Sequence, residues 1–178
     1  MDQFLARLSG MITADQLEIG ESPFGISPQA IDLHATLARA ASNDRPVYIK
    51  GNRGTGKGLA AQTIHKLSNR ESGPFQSVDL SRLTPSDQAN ILFDDTAERP
   101  ALTRATKDGT LYISMISHAT DTVQNLLHEW LLSEPTTRLI CGFTPDLSSS
   151  ETDGRVRLDL LQRLRAVDIF IPPLASRP

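Results

Sequence analysis

A glycine-rich segment that ends in lysine limits the possible folds of this chain more than any other feature. Gly51-Asn52-Arg53-Gly54-Thr55-Gly56-Lys57 matches the pattern GxxxxGK, which connects a strand to a helix through a phosphate-binding loop. The apolar run at 46–50 predicts the strand, and the pattern at 57–67 predicts the helix. Because motif and context agree, they favour a phosphate-binding loop over a chance glycine-rich turn.

In a loop of this kind the backbone supplies most of the phosphate ligands. Glycines let successive N–H groups face inward, and the N-terminus of the following helix adds a partial positive charge. The ammonium of Lys57 would reach the β and γ phosphates of a nucleotide. The nucleotide contacts predicted in this segment are Asn52, Arg53, Gly54, Thr55, Gly56, Lys57 and Gly58.

The residue after the lysine departs from the general motif. Gly58 stands where P-loop proteins normally carry a Ser or Thr whose hydroxyl holds Mg²⁺. Because glycine has no side chain, we expect any magnesium at the site to be held weakly or indirectly.

Along the rest of the chain, helical patterns alternate with short apolar runs. Helices are predicted at 27–41, 57–67 and 121–132, and strands at 46–50, 75–78, 110–113, 138–141 and 168–171. This alternation is typical of a parallel sheet with helices on both faces. We therefore expect an α/β fold: a three-layer α/β/α sandwich around a mainly parallel sheet of these five strands.

Composition restricts the class of protein. The 178 residues suffice for one domain with its own core, and no apolar run is long enough to span a membrane. The net charge of −3 is spread over interspersed acidic and basic residues, so direct nucleic-acid binding is not expected. Residues 1–17 lack the features of a signal peptide and predict a helical extension before a domain at 18–178. We expect a cytoplasmic protein.

Side chains suited to thiol or metal chemistry are sparse. Cys141 is the only cysteine, and its position inside an apolar run predicts a buried, unreactive thiol. The four histidines are scattered without the spacing of metal ligands, so we expect them at the surface or in packing contacts. We predict no metal site formed by the protein alone.

Several separate motifs occur in the order found in one family. They are Ile19-Gly20-Glu21-Ser22, the loop from Gly51 to Lys57, Ile64-His65-Lys66-Leu67-Ser68, Gly73-Pro74-Phe75, Leu92-Phe93, Asp108-Gly109-Thr110-Leu111, Arg157-Leu158-Asp159-Leu160-Leu161-Gln162-Arg163-Leu164 and Pro172-Pro173-Leu174. From Glu18 onward the chain resembles the central AAA+ domain of sigma-54-dependent transcription activators, the bacterial enhancer-binding proteins. The resemblance implies the α/β core of a P-loop NTPase, ATP or ADP as ligand, and further nucleotide contacts at Ile19 and Gly20.

The catalytic acids of that family are missing from the aligned positions. Where the family's Gly-Thr-Leu strand ends in Asp-Glu, the pair that orients Mg²⁺ and polarises the attacking water, this chain has Ser114 and Met115. Neither side chain replaces a carboxylate, so we expect rapid hydrolysis to be lost. Asp79 aligns with an asparagine that switches the missing glutamate. It could partly rescue catalysis, although an aspartate that caps a turn is favoured. Thr144 aligns with the sensor asparagine and can still hydrogen-bond a phosphate.

Regions that act on partners in the family differ here. Residues 94–105 are too few to hold the GAFTGA loop that grips sigma-54, and the hairpin before the fourth strand is trimmed. Arg157 and Arg163 align with arginines that reach a neighbouring subunit's nucleotide, which implies an assembly surface. The alternative is that they solvate the outer face of a helix. The sequence stops where the family's helical lid begins, as in a truncated or a naturally lidless protein.

Together these features favour a nucleotide-binding pseudo-ATPase that acts as a transcription-regulatory or assembly subunit without remodelling sigma-54. Its partner would be another protein or further AAA+ subunits, including a catalytically competent relative that receives Arg157 or Arg163. Two alternatives stay open. One is an interaction module whose loop is a relic that binds no nucleotide, and the other is a weak ATPase that uses Asp79.

Overall fold

A computed structural model describes residues 27–96, 100–145 and 155–173 of the chain. The helical extension predicted at 1–17 and the contacts predicted at Ile19 and Gly20 lie outside these ranges. The helices are α1 (Pro28–Ala41), α2 (Lys57–Leu67), α3 (Pro85–Phe93), α4 (Leu102–Ala105), α5 (Asp121–Leu132) and α6 (Leu158–Leu164). The strands are β1 (Val47–Lys50), β2 (Phe75–Asp79), β3 (Thr110–Ser114), β4 (Arg138–Phe143) and β5 (Val167–Phe170), and short 3-10 helices lie at Leu80–Arg82 and Ile116–His118.

The five strands form one sheet in the order β2-β3-β4-β1-β5. Val47 of β1 lies opposite Ile140 of β4 and Val167 of β5, so β1 has a neighbour on each side. All four strand pairs are parallel, which brings the carboxyl ends of the strands to one edge of the sheet. The predicted parallel sheet is confirmed. Its carboxyl edge, where the loop after β1 lies, is the edge at which open α/β sheets bind ligands.

Helices cover both faces of the sheet. On one face α1 and α2 pack against the strands, and on the other face α3, α5 and α6 do so. The helix residues that form these two buried layers include Leu37, Ile64, Leu92, Leu127 and Leu160. The three-layer α/β/α arrangement expected from the sequence is therefore confirmed.

Local signals in the sequence explain where the predicted helices begin. Ser27 caps α1 by accepting a hydrogen bond from the backbone N–H of Ala30, and Pro28 occupies the first helical position. Thr120 caps α5 in the same way through the N–H of Val123. Each such cap stabilises its helix by about 1 kcal/mol, so these boundaries are encoded locally.

Three helices, α3, α4 and α6, are absent from the helices predicted at 27–41, 57–67 and 121–132. The Thr84 hydroxyl accepts from the N–H of Asp87 and Pro85 follows it, so α3 does carry a start signal. α4 spans only Leu102–Ala105, which is too short for a helical period to be recognised.

A buried arginine ties the start of β4 to the end of α1. Arg138 is 1% exposed, and its Nη2 donates to the carbonyl oxygen of Ala40 at 2.6 Å. Its Nε donates to the carbonyl oxygen of Arg45 at 3.3 Å. Burial lowers the pKa of Arg138 to about 10, so the guanidinium stays charged at neutral pH and anchors the helix to the sheet.

The thiol of Cys141 lies in a packing position, whereas the histidines are divided between buried positions (His34, His65) and more exposed ones (His118, His128). Cys141 is fully buried in β4, where burial raises the pKa of its thiol, and the prediction of a buried thiol is confirmed. Across the described ranges no three His, Cys, Asp or Glu side chains form a group that could hold a metal ion. None of the helices in that part of the chain has the length and apolar character needed to cross a membrane.

Replacing Gly109 with alanine is expected to destabilise the domain strongly. A Cβ at Gly109 would lie 2.0 Å from the carbonyl oxygen of Pro74 and 2.8 Å from its ring. That carbonyl accepts the N–H of Thr110 at 2.8 Å and cannot move without breaking the strand start. We expect a loss of about 3 kcal/mol in the free energy of unfolding, measured by urea denaturation.

Gly58→Ala is the matched control for that variant. A Cβ at Gly58 would have the Tyr112 ring as its nearest neighbour, at 3.7 Å, and alanine favours a helix over glycine. We expect its stability to equal or exceed that of the wild type. Equal stability of the Gly109→Ala and Gly58→Ala variants would contradict the packing described here.

Candidate phosphate-binding site

The loop between β1 and α2 turns at two glycines. Gly54 has φ of 81° and Gly56 has φ of 91°, in the left-handed region that glycine enters without a steric penalty. Gly56 is also the N-cap residue of α2. The first N–H groups of a helix have no partner within it, and together with the helix dipole they attract anions.

The Lys57 side chain lies across this loop. Its Nζ donates to the carbonyl oxygens of Gly51 and Asn52, each at 2.8 Å. An ammonium has three N–H donors, so these two bonds, the ones it makes within the described ranges, leave one donor for a phosphate oxygen. Lys57 is 8% exposed, and burial lowers its pKa. A bound anion would favour the charged form and offset that desolvation.

Further hydrogen bonds fix the shape of the loop. The Thr55 hydroxyl donates to the carbonyl oxygen of Asn52 at 2.9 Å. Gly51 packs tightly, because a Cβ there would lie 2.6 Å from the Thr55 Oγ1. The N–H of Gly51 donates to the carbonyl oxygen of Phe143 at 3.2 Å, which ties the loop to β4. Residues 52–58, the predicted nucleotide contacts, therefore run from the loop into the first residues of α2. Hydrogen bonds to neighbouring backbone fix the position of the loop.

The end of β3 brings uncharged side chains to the same edge of the sheet. Ser114 is half-buried, and its side chain lies beside that of Tyr112 on the same face of β3. Met115 follows in the left-handed conformation, with φ of 56° and ψ of 47°, which is uncommon for a residue other than glycine. A serine hydroxyl and a thioether supply neither a general base nor the negative charge that holds a divalent cation.

Asp79 closes a turn at the end of β2. It lies opposite Ser114 in the sheet register, and its Oδ1 accepts from the N–H and the hydroxyl of Ser81 at 3.0 and 2.7 Å. Its Oδ2 lies 3.7 Å from the Nε of Arg82. These contacts agree with the favoured interpretation of Asp79 as a capping residue, because they engage both carboxylate oxygens.

Thr144 follows β4 directly. Phe143, the last residue of β4, lies opposite Lys50, the last residue of β1. The half-buried Thr144 therefore leaves the sheet next to the start of the phosphate loop. This is the edge at which a sensor side chain would meet a bound phosphate.

The two arginines predicted to act on a neighbouring subunit differ in their contacts. The Arg157 guanidinium pairs with both carboxylate oxygens of Asp159, and this hydrogen bonding lowers the pKa of Asp159. The Arg157 N–H donates to the side-chain oxygen of Gln124 at 2.8 Å. Arg163 is exposed on α6. Both arginines are exposed, and they differ in that Arg157 is paired with Asp159.

Tyr112 and Gly142 belong to this edge, and the sequence analysis did not identify them. A Cβ at Gly142 would lie 2.4 Å from the Tyr112 hydroxyl oxygen. The available signal was a glycine inside an apolar strand, which often marks the close approach of another group.

The fold and this site define a class of protein. A glycine-rich turn between a flanked parallel strand and a helix, with a buried lysine across it, is the phosphate-binding loop of the P-loop NTPases. The particular family follows from sequence. The profile of the sigma-54 interaction domain matches residues 24–174, and the chain belongs to that family.

Two relatives illustrate the match. The Nif-specific regulatory protein of Rhodobacter capsulatus is 30% identical over 175 residues, an alignment covering 86% of this chain and 30% of that protein. The Psp operon transcriptional activator of Escherichia coli is 29% identical over 180 residues, covering 90% of this chain and 55% of that protein. This chain therefore spans only part of the length of these relatives.

Solved structures give the same result. NtrX from Brucella abortus in complex with ATP has a TM-score of 0.78 at 27% identity and covers 97% of this chain and 42% of NtrX. Its complex with ADP has a TM-score of 0.77 at 28% identity, with 98% and 42% covered. The P-loop NTPase domain of the sigma-54 transport activator from Escherichia coli, at 23% identity and a TM-score of 0.61, supports the fold and covers 80% of this chain and 94% of that domain. The resemblance and the P-loop NTPase fold are confirmed.

The left-handed backbone at Met115 leads to a stability prediction. At this φ glycine avoids a penalty of about 1 kcal/mol that any L side chain incurs. We expect Met115→Gly to be about 1 kcal/mol more stable than Met115→Ala, a comparison in which both variants lose the methionine contacts. Thermal or urea unfolding measures the difference.

The control is the same pair of changes at Gln62, an exposed residue inside α2. There alanine should exceed glycine by about 1 kcal/mol, the opposite order, because the backbone is helical. If alanine were also the more stable residue at position 115, the left-handed conformation would be wrong.

Proposed function

We propose that this domain binds ATP or ADP as a ligand and does not hydrolyse it rapidly, acting as a regulatory or assembly subunit in transcription control. The proposal is based on a contrast between the phosphate loop and the end of β3. Lys57 is held ready across a phosphate loop, whereas Ser114 and Met115 occupy the strand end where hydrolysis needs two carboxylates. Nucleotide would then act by favouring one state of the domain.

Nucleotide binding is supported by loop geometry and by similarity to NtrX, whose structures contain ATP and ADP. The first N–H groups of α2 have no partner within that helix, and Lys57 keeps a third N–H beyond the two that donate to the loop carbonyls. The predicted contacts at 52–58 would surround the phosphates, and Thr144 would hydrogen-bond to the last of them. Ile19 and Gly20 would contact the base end of the nucleotide.

The lack of rapid hydrolysis follows from chemistry at the strand ends. A water molecule needs a base to accept its proton as it attacks phosphorus, and methionine cannot do this. Asp79 lies opposite Ser114 in the sheet and is the candidate substitute, but Ser81 and Arg82 engage it. An ATPase that uses Asp79 would have to break the turn that follows β2.

We exclude sigma-54 remodelling from the proposed function. α3 ends at Phe93 and α4 begins at Leu102, and in between Asp95 accepts from the N–H of Ala101 at 2.9 Å and pairs with Arg104. These contacts hold Asp95 beside Ala101 and the start of α4. A segment of this length does not project far enough to grip a separate protein.

Assembly with other AAA+ subunits is the second part of the proposal. Arg163 is exposed on α6, where it can reach a neighbour, whereas Arg157 is engaged by Asp159 within the chain. We therefore assign the trans arginine to Arg163 rather than to Arg157. In a mixed oligomer it would contribute positive charge to a competent partner's nucleotide.

Nucleotide binding is tested by thermal unfolding with ATP or ADP. A ligand that binds only the folded chain stabilises it by about 2.7 kcal/mol at 100 times its Kd. For a domain of this size that raises the melting temperature by about 5 °C or more. Lys57→Ala should lose the shift, because the loop then lacks its ammonium. Lys66→Ala, which removes an exposed lysine from the same helix, should keep it.

Two results would redirect the proposal. The absence of any shift at millimolar nucleotide, with Lys57→Ala identical to the wild type, would favour the relic loop of a pure interaction module. Phosphate release that disappears in Asp79→Asn would favour the weak ATPase. The proposal requires a shift together with phosphate release no faster than the background.

The assigned role of Arg163 is tested by mixing this chain with a hydrolytically active member of the family. We expect the mixture to change ATP turnover per active subunit, and Arg163→Ala to abolish that change. Gln162→Ala, the exposed neighbour on α6, is the matched control and should behave as the wild type. Unchanged turnover on mixing, or equal effects of Arg157→Ala and Arg163→Ala, would contradict the assignment.

A further inference from the structure

The Tyr112 side chain packs under the phosphate loop. Residues 112 and 114 lie on one face of β3 because side chains alternate along a strand. On that face Tyr112 is 5% exposed and packs in the cluster that contains Ala60, Ala61 and Ile64 of α2. A Cβ at Gly58, near the start of α2, would lie 3.7 Å from the Tyr112 Cε1. The ring therefore extends from β3 to the beginning of the helix that carries Lys57.

Gly142 makes room for the phenol on the other side. A Cβ at that position would lie 2.4 Å from the Tyr112 oxygen, closer than such atoms approach, and 3.1 Å from its Cζ, which is an unusually tight contact. A larger residue at 142 would displace the ring. Gly58, which adds no side chain above the ring, and Gly142 together form a slot that the tyrosine fills.

The ring thus lies between the two positions whose side chains hold Mg²⁺ in P-loop NTPases. These are the hydroxyl after the loop lysine, replaced here by Gly58, and the aspartate at the strand end, replaced by Ser114. The Ser114 side chain lies beside the Tyr112 phenol and acts on its pKa. Burial raises the pKa of Tyr112 to about 12, so the phenol stays neutral. Protein sites hold Mg²⁺ mainly through carboxylates and substrate phosphates, and neither Gly58 nor the Tyr112–Ser114 pair supplies a carboxylate, so these residues do not fit the metal.

From this arrangement we infer that the site takes its nucleotide as a metal-free polyphosphate anion, with the Tyr112–Ser114 pair filling the place of the metal and its ligands. The inference rests on the proposed nucleotide binding and adds that magnesium contributes nothing to it. The loop N–H groups and the Lys57 ammonium supply the positive potential. At the end of β3 the described side chains offer Mg²⁺ no carboxylate.

Titration of a fluorescent ADP against the 178-residue chain, in millimolar MgCl₂ and in EDTA, tests the inference. We expect the two dissociation constants to agree within about twofold, less than 0.5 kcal/mol of difference. Lys57→Ala should weaken binding in both buffers. Binding at least about tenfold tighter in magnesium would overturn the inference and leave the proposed function standing. If ADP bound in neither buffer, both the inference about magnesium and the proposed nucleotide binding would be overturned.

A variant that restores the missing acid tests whether the named side chains are responsible. Tyr112→Phe/Ser114→Asp removes the phenol oxygen and places a carboxylate at the strand end. We expect this variant to bind at least about tenfold tighter in magnesium than in EDTA. Tyr112→Phe alone is the matched control. Its dissociation constants in magnesium and in EDTA should agree, as those of the wild type are expected to. Melting temperatures confirm that each variant folds. A folded double variant that binds equally in both buffers would overturn the assignment to Tyr112 and Ser114.

Discussion

The Lys57 ammonium, held between the carbonyl oxygens of Gly51 and Asn52, is the interaction on which the site depends. A buried charge is costly unless acceptors surround it, and here the loop backbone provides them before any ligand arrives. The loop can do so because its ends are fixed. Phe143 accepts from Gly51 at one end, and Gly56 begins α2 at the other. The sheet and α2 therefore fix the loop, and the loop fixes the position of the ammonium and the acceptors that stabilise its charge.

The ends of β2 and β3 lie at the same edge of the sheet as this loop. Side chains that pack and hydrogen-bond occupy these ends in place of catalytic acids. Ser114 lies beside Tyr112, and Asp79 is engaged by Ser81 and Arg82. Contacts of this kind offset the cost of burying polar groups. Among the described residues of this edge, Lys57 keeps one N–H beyond its two bonds to the loop. The proposed function, in which nucleotide is bound and not rapidly hydrolysed, is based on this contrast.

Much of the fold could be predicted from local patterns. The five strands and the helices α1, α2 and α5 lie where they were predicted. Each has an apolar pattern, a cap or the glycine motif within a short stretch of sequence. α4 was missed because four residues carry no period, and α3 because its Thr84 cap was not recognised as a helix start. Arg157 and Arg163 looked equivalent in sequence. They differ because Asp159 lies within reach of only the first of them among the contacts described.

The sequence by itself determined the phosphate loop and the loss of the catalytic acids, because both are properties of consecutive residues: Gly51 to Lys57, and Ser114 with Met115. Only the tertiary structure decided what occupies the space beside them. Tyr112, Gly58 and Gly142 come from three separate elements, and parallel strands joined by helical crossovers bring them together. No local pattern records that contact, since it depends on how β3 and β4 pair and on where α2 crosses the sheet.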